Sequence, residues 1–201
     1  MLNQSNLSDK WKLRNKEELW TSFTEDNREA FSVLFLRCYE RLFRYGMHFA
    51  SNEDTVKDGI QKLFFRLWKK RSKLTCPQSV DGYLYVSLRR ILLRQKERQQ
   101  SRQERNIAFM EEELDHIFSM EELIIFKEER KKRQELFLKA LQQLTPRQKE
   151  ALLLRVDSGM SNGEISKIME ISDKRVRNLI YEATKRLKKE ISEQTGKIKE
   201  E

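Results

Sequence analysis

Seven side chains between positions 173 and 185 have the chemistry of a base-reading surface. Asp173, Lys174, Arg175, Arg177, Asn178, Tyr181 and Lys185 fall outside a helical pattern whose inner positions are Val176, Leu179, Ile180, Ala183 and Leu187. Arginine pairs bidentately with guanine, asparagine with adenine, and lysine meets phosphate. A second group lies upstream. Tyr83 and Tyr85 precede Arg89, Arg90 and Arg94. Aromatic rings that stack on bases beside cations that neutralise phosphate are the equipment of a single-strand binder. The two tyrosines read equally well as core residues. Nothing comparable exists for covalent chemistry. His48 and His116 are the only histidines, Cys38 sits in an apolar stripe, and no Gly-rich phosphate loop occurs. With no convergent acid, base or nucleophile, the chain does not read as an enzyme. Cys38, Cys76 and two distant histidines are a poor set for a metal, and no cofactor is expected.

The elements that must hold these groups are helices. Ser161-Asn162-Gly163-Glu164 has the form of a capping box, opening a helix with Ile165, Ile168 and Met169. Glu170-Ile171-Ser172 is a short turn, and Ser172 caps the helix that carries the cationic face. A short helix, a tight turn and a longer helix have the spacing of a helix-turn-helix, which sets its second helix in a major groove. Ile165, Ile171, Val176 and Ile180 are placed to hold the pair together. Upstream, Thr145-Pro146-Arg147-Gln148 is another capping box with proline at the first helical position. It follows a helical stretch with Leu136, Ala140, Leu141 and Leu144.

The first half of the chain repeats the logic. A polar arm runs into a short helix, and a longer helix starts at Asn27 with Phe31, Leu34, Phe35, Cys38, Leu42, Gly46 and Phe49 at helical spacing. A further helix opens near Asn52 with Glu53 and Asp54 at its positive end. It carries Val56, Ile60, Leu63, Phe64 and Leu67, and closes on Lys69-Lys70-Arg71. A loop from Ser72 to Ser79 contains Pro77, and the next helix begins near Val80. Residues 95 to about 130 break the composition, because Lys96 to Arg105 has no apolar face.

These features define an all-α chain: two small helical domains joined by a charged linker, the C-terminal one with a helix-turn-helix. The expected boundaries are 1–98, a linker over 99–130, and 131–201. With only 6 Gly and 2 Pro in 201 residues, an all-β fold lacks its turns. A net charge of +9 favours a polyanionic partner. No apolar run spans a bilayer and the N-terminus does not resemble a signal peptide, so no membrane insertion and a cytoplasmic setting are expected.

The pattern resembles the sigma-70 family, specifically its small extracytoplasmic-function group. In the first part the residues that carry the likeness are Arg28-Glu29-Ala30-Phe31, Tyr39, Leu42 to Gly46, Asp58, Ile60-Gln61, Phe64 to Trp68 and Tyr83-Leu84-Tyr85. In the second they are Ala140-Leu141, Leu144 to Gln148, Leu153 to Arg155, Gly159 to Ser161, Glu164-Ile165, Ile171-Ser172, Val176 and Ala183. Each fragment is weak alone, but their order and spacing are specific.

The resemblance implies a promoter-specificity factor that binds core RNA polymerase and directs initiation while catalysing nothing itself. Asp58, Gln61, Lys62 and Arg66 would meet the polymerase. Lys73, Gln78, Ser79, Tyr83, Arg89, Arg90 and Arg94 would open and hold the −10 element, and the seven residues from Asp173 to Lys185 would read the −35 element. The linker would thread through the polymerase, and an anti-sigma protein would be a further partner. Four positions depart from the family pattern. Arg90 and Arg94 add positive charge, Lys62 stands where a Glu is common, and Glu170 stands where a turn often has Gly. The alternative is a helix-turn-helix regulator that does not bind core polymerase, its first half serving dimerisation or sensing. A recombinase-like enzyme lacks its catalytic residues.

Overall fold

The computed structural model describes residues 11–103, apart from 12 and 51, together with 137 and 140–198. These residues are helical and contain no strand. They belong to two compact units, Met1–Glu112 and Glu113–Glu201. The linker expected over 99–130 lies outside the described residues except at 99–103, and so does His116.

In the first unit, α1 (Lys16–Thr24) is capped by Asn15, whose side chain accepts from Glu18 N at 2.7 Å. It buries Leu19, Trp20 and Phe23. A turn with Asp26 at φ 75° leads to Asn27, which caps α2 (Arg28–Gly46) by accepting from Ala30 N at 2.9 Å. The residues expected to be core on α2 and just beyond it divide in two. Leu34, Cys38, Leu42 and Gly46 are buried, joined by Ala30, Val33 and Tyr45, while Phe31, Phe35 and Phe49 are half-buried, as are Tyr39 and Phe43. The described end of the polar arm is better fastened than its composition suggested. Trp11 is buried and donates to Glu29 at 2.8 Å, and Arg37 donates to the carbonyls of Arg14 and Trp11.

Asn52 caps α3 (Glu53–Lys70), which presents Val56, Gly59, Ile60, Leu63, Phe64 and Leu67 inward. A 3-10 turn (Arg71–Lys73) and an extended loop follow, and α4 spans Val80–Gln103. Its polar back half stays helical because Gln, Lys, Arg and Glu are good helix formers, so propensity propagates a helix that no core demands. The helices α2, α3 and α4 pack against one another, and two glycines set how closely. A Cβ on Gly46 would lie 2.4 Å from Val56 Cγ1, and one on Gly59 would lie 2.8 Å from Leu92 Cδ2.

Burial among these helices pushes the Cys38 thiol from 9.0 up to about 11, whereas Cys76 is exposed in the loop. Only a thiolate reacts readily with a maleimide. One equivalent of label is therefore expected on the native chain at neutral pH, all of it at Cys76, and a second after denaturation. Peptide mapping of the labelled chain checks this.

The second unit contains α5 (Pro146–Val156), α6 (Asn162–Met169) and α7 (Asp173–Ile198). Thr145 and Gln148 form the expected capping box. Ala140, Leu141 and Leu144 join Ala183 and Leu187 in one apolar cluster, with Leu152 and Ile191 packed against it. Gln148, itself buried, also donates to Glu182 on α7 at 3.4 Å.

Candidate nucleic-acid interface

The pair α6 and α7 forms the helix-turn-helix. Ser161 N donates to Glu164 Oε2 at 3.0 Å, while Ser161 Oγ accepts from Glu164 N at 3.3 Å, closing the capping box in both directions. The helix α6 ends at Glu170, whose backbone is left-handed with φ 56° and ψ 47°. The Ile171 N–H donates back to Ser166 O, and Ser172 Oγ then accepts from Arg175 N at 3.3 Å to start α7. Ile165, Ile168, Met169, Val176 and Leu179 are buried between the elements, and Ile171 and Ile180 are half-buried.

The turn therefore demands positive φ at Glu170, where a Cβ is unfavourable by about 1–2 kcal/mol. Glu170→Gly relieves this and gives back part of the gain through a more flexible unfolded chain. A net stabilisation of up to about 1 kcal/mol is expected, read from the urea midpoint of the second unit.

All seven residues proposed to read duplex DNA, from Asp173 to Lys185, are exposed. Within them Lys174, Asn178, Tyr181 and Lys185 form one stripe opposite the buried Val176, Leu179, Ala183 and Leu187. Tyr181 is 67% exposed, unusual for so large a ring. Residues 173–189 hold seven cations against the two carboxylates Asp173 and Glu182. Arg186, Lys188 and Lys189, also exposed, lengthen the basic face beyond the residues expected from sequence. The repeated Lys and Arg at 185–189 was the available signal.

The upstream group is partly redistributed. Tyr83, Arg90 and Arg94 lie seven and then four residues apart and share one exposed side of α4. Lys73 and Gln78 are exposed in the preceding loop. Tyr85 belongs to the core, 2% exposed and edge-on to Tyr45 at 4.8 Å, so it does not stack on a base. Arg89 is half-buried, its guanidinium 5.9 Å from the Phe49 ring and off the Tyr83 stripe. Ser79 is half-buried, and its hydroxyl accepts from Gly82 N at 3.1 Å as the cap of α4.

A third face lies on α3, where Asp58, Gln61, Lys62 and Arg66 are all exposed. Asp58 and Lys62 pair with each other at 3.0 Å. Phe65, 68% exposed, sits among them and was not anticipated as a site residue. Its signal was an aromatic residue falling off the stripe of Ile60, Leu63, Phe64 and Leu67. Among the described residues no cluster of His, Cys, Asp and Glu could hold a metal ion, and no helix is long and apolar enough to cross a membrane.

Comparison with known proteins adds to this geometry. Residues 134–187 match the family described as sigma-70, region 4. The chain is similar to CnrH, solved in complex with the cytosolic domain of CnrY. The identity is 18% over 86% of this chain and 94% of that one, with a TM-score of 0.56. It is also similar to the sigma factor RpoE from Bartonella quintana, solved with the anti-sigma factor NepR. There the identity is 21% over 81% of this chain and 96% of that one, with a TM-score of 0.60. At these identities the two structures establish the fold. No curated protein matches the chain.

Proposed function

We infer that this chain, which carries a sigma-70 region 4 over residues 134–187, is a sigma factor of the extracytoplasmic-function group that recruits core RNA polymerase to a promoter. The observation that carries the reading is the coincidence of that region with a helix-turn-helix whose outer face is cationic. In this reading α7 enters the major groove of the −35 element. Asn178 and the arginines meet base edges, and Lys174 and Lys185 meet phosphates. The loop from Lys73 to Ser79, with Tyr83, Arg90 and Arg94, receives an unpaired strand of the −10 element by stacking and charge. Two weak sites on one chain act together through effective concentration, without any added contact. The chain works in the cytoplasm and catalyses nothing itself.

The α3 face is the candidate surface for core polymerase. Phe65, exposed in the free chain, supplies an aromatic anchor of the kind such interfaces bury on binding, with Asp58, Gln61, Lys62 and Arg66 as its polar rim. Because Asp58 and Lys62 pair with each other, part of their charge is already compensated within the face. An inhibitory protein partner of the kind bound to the RpoE neighbour fits the same reading.

The full chain is expected to form a stoichiometric complex with purified core polymerase on size exclusion. Phe65→Ser should weaken that complex by roughly tenfold or more, with an unchanged melting temperature. A chain that binds duplex DNA yet shows no affinity for core polymerase is better described as an independent regulator.

A further inference from the structure

Helix α1 and the turn after it lie beside the segment expected to hold single-stranded DNA, and they touch that segment or its approach at three places in antiparallel order. Near the start of α1, Lys16 Nζ meets both carboxylate oxygens of Asp81, at 2.6 and 2.5 Å, in a part-buried ion pair. One turn on, Trp20 Nε1 donates to the Thr75 carbonyl at 3.1 Å, and its ring meets Tyr83 edge-on at 5.2 Å. Just past the end of α1, Asp26 accepts from Arg71 Nε at 2.5 Å. Arg71 in turn lies 4.4 Å over the Trp68 ring.

The ties thus run from 16 to 81, from 20 to 75 and from 26 to 71. They secure the extended loop at its entrance, its middle and the first turn of α4. The loop carries no ladder of its own. Between Leu74 and Gln78 the backbone is irregular, and Cys76 and Gln78 are exposed. A loop of this kind keeps one shape only if its neighbours impose it. Trp20 is fully buried, so its indole N–H has little freedom to seek another acceptor. The same ring sets the position of Tyr83, the one aromatic side chain of α4 turned partly to solvent.

We propose that α1 is a brace for the strand-receiving surface, with Lys16 and Trp20 as positioning residues that hold the Thr75–Ser79 loop and Tyr83 in the shape that captures an unpaired DNA strand. The inference rests on the sigma-factor reading for its ligand but not for its mechanics. The brace preorganises the loop, so that binding need not first order it.

Two measurements on the full chain test it. A nitroxide attached at Cys76 reports loop mobility by electron paramagnetic resonance without any DNA. Binding of a fluorescein-labelled random-sequence 20-nucleotide DNA single strand to unlabelled chain assembled with core polymerase reports capture. Trp20→Phe keeps an aromatic ring but deletes the N–H donor, and Lys16→Met keeps the stem but deletes the charge. Both should mobilise the nitroxide and weaken strand binding by about five- to tenfold. Lys16→Arg, which keeps the ion pair, should restore both, and core-polymerase binding should be unaffected throughout. An immobile nitroxide in both variants would overturn the brace. So would a mobilised nitroxide with undiminished strand binding, or a strand-binding loss matched by an equal loss of core binding. If the wild-type assembly itself ignores the strand, it is the sigma-factor reading that fails. The nitroxide then still decides whether α1 orders the loop.

Discussion

Asn178→Ala, assayed with core polymerase on promoter duplex, is expected to lose about 1–3 kcal/mol of discrimination at one base pair. Lys185→Ala should instead weaken all sequences alike. The distinction comes from what each side chain can sense. An amide presents a donor and an acceptor that match one base edge, so its removal erases a preference. An ammonium senses only the phosphate charge. Its removal lowers affinity uniformly and reduces the slope of log K against log salt by about 1. Both positions lie on the exposed stripe of α7 opposite Val176, Leu179 and Ala183, so neither change disturbs the core. The check is a competition assay over a library of −35 variants at several salt concentrations. Uniform loss in both variants would remove Asn178 from base reading.

The second large effect concerns stability. Gly46→Val should destabilise the first unit by about 1–3 kcal/mol or more, because even its Cβ would stand 2.4 Å from Val56 Cγ1. Val56 is fully buried and β-branched, so its χ1 is strongly restricted and it has little room to give way. The gain in helix propensity over glycine, at most about 1 kcal/mol, does not offset that clash. Gly163 provides the contrast. A Cβ there meets only Asp173 Oδ2 at 3.9 Å, so Gly163→Ala in α6 should stabilise the second unit modestly through propensity alone. Urea unfolding of these two variants and wild type, followed by the change in midpoint at constant m, separates these outcomes.

Much of the architecture is legible in single residues. Asn27, Asn52, Thr145, Ser161 and Ser172 each cap the helix that their residue type and spacing suggested, because a cap is a local hydrogen bond that needs no tertiary context. The outer face of α7 was equally legible, since periodicity alone separates Val176 and Ala183 from Lys174 and Lys185. What sequence could not divide was α4. Tyr83 and Tyr85 differ by two positions, which on a helix means nearly opposite sides. Only the packing of α2 decides that Tyr85 is inside and Tyr83 at the surface. Arg89 was grouped with Arg90 for the same reason, and Phe49 draws it aside. The brace was invisible because it joins residues 16, 20 and 26 to a loop roughly fifty positions away, through a backbone carbonyl that no side-chain pattern reports. Phe65 was overlooked because an aromatic residue in a helix is usually core.

The cost of the turn at Glu170 illustrates how a departure from a family pattern acquires physical content. Sequence marks only that glycine is absent there. The left-handed backbone at φ 56° makes that absence a source of strain. Its effect is confined to the junction that sets the angle between α6 and α7, so relieving it should leave the exposed stripe intact.

The most direct test of the account is transcription in vitro with purified core polymerase and fragmented genomic DNA, with and without this chain. The account predicts discrete RNA 5′ ends that require the chain, sharing two upstream sequence elements, and lost when Phe65→Ser replaces the wild type. RNA 5′ ends that are the same in the presence and absence of the chain, alongside intact duplex binding by α7, would contradict it.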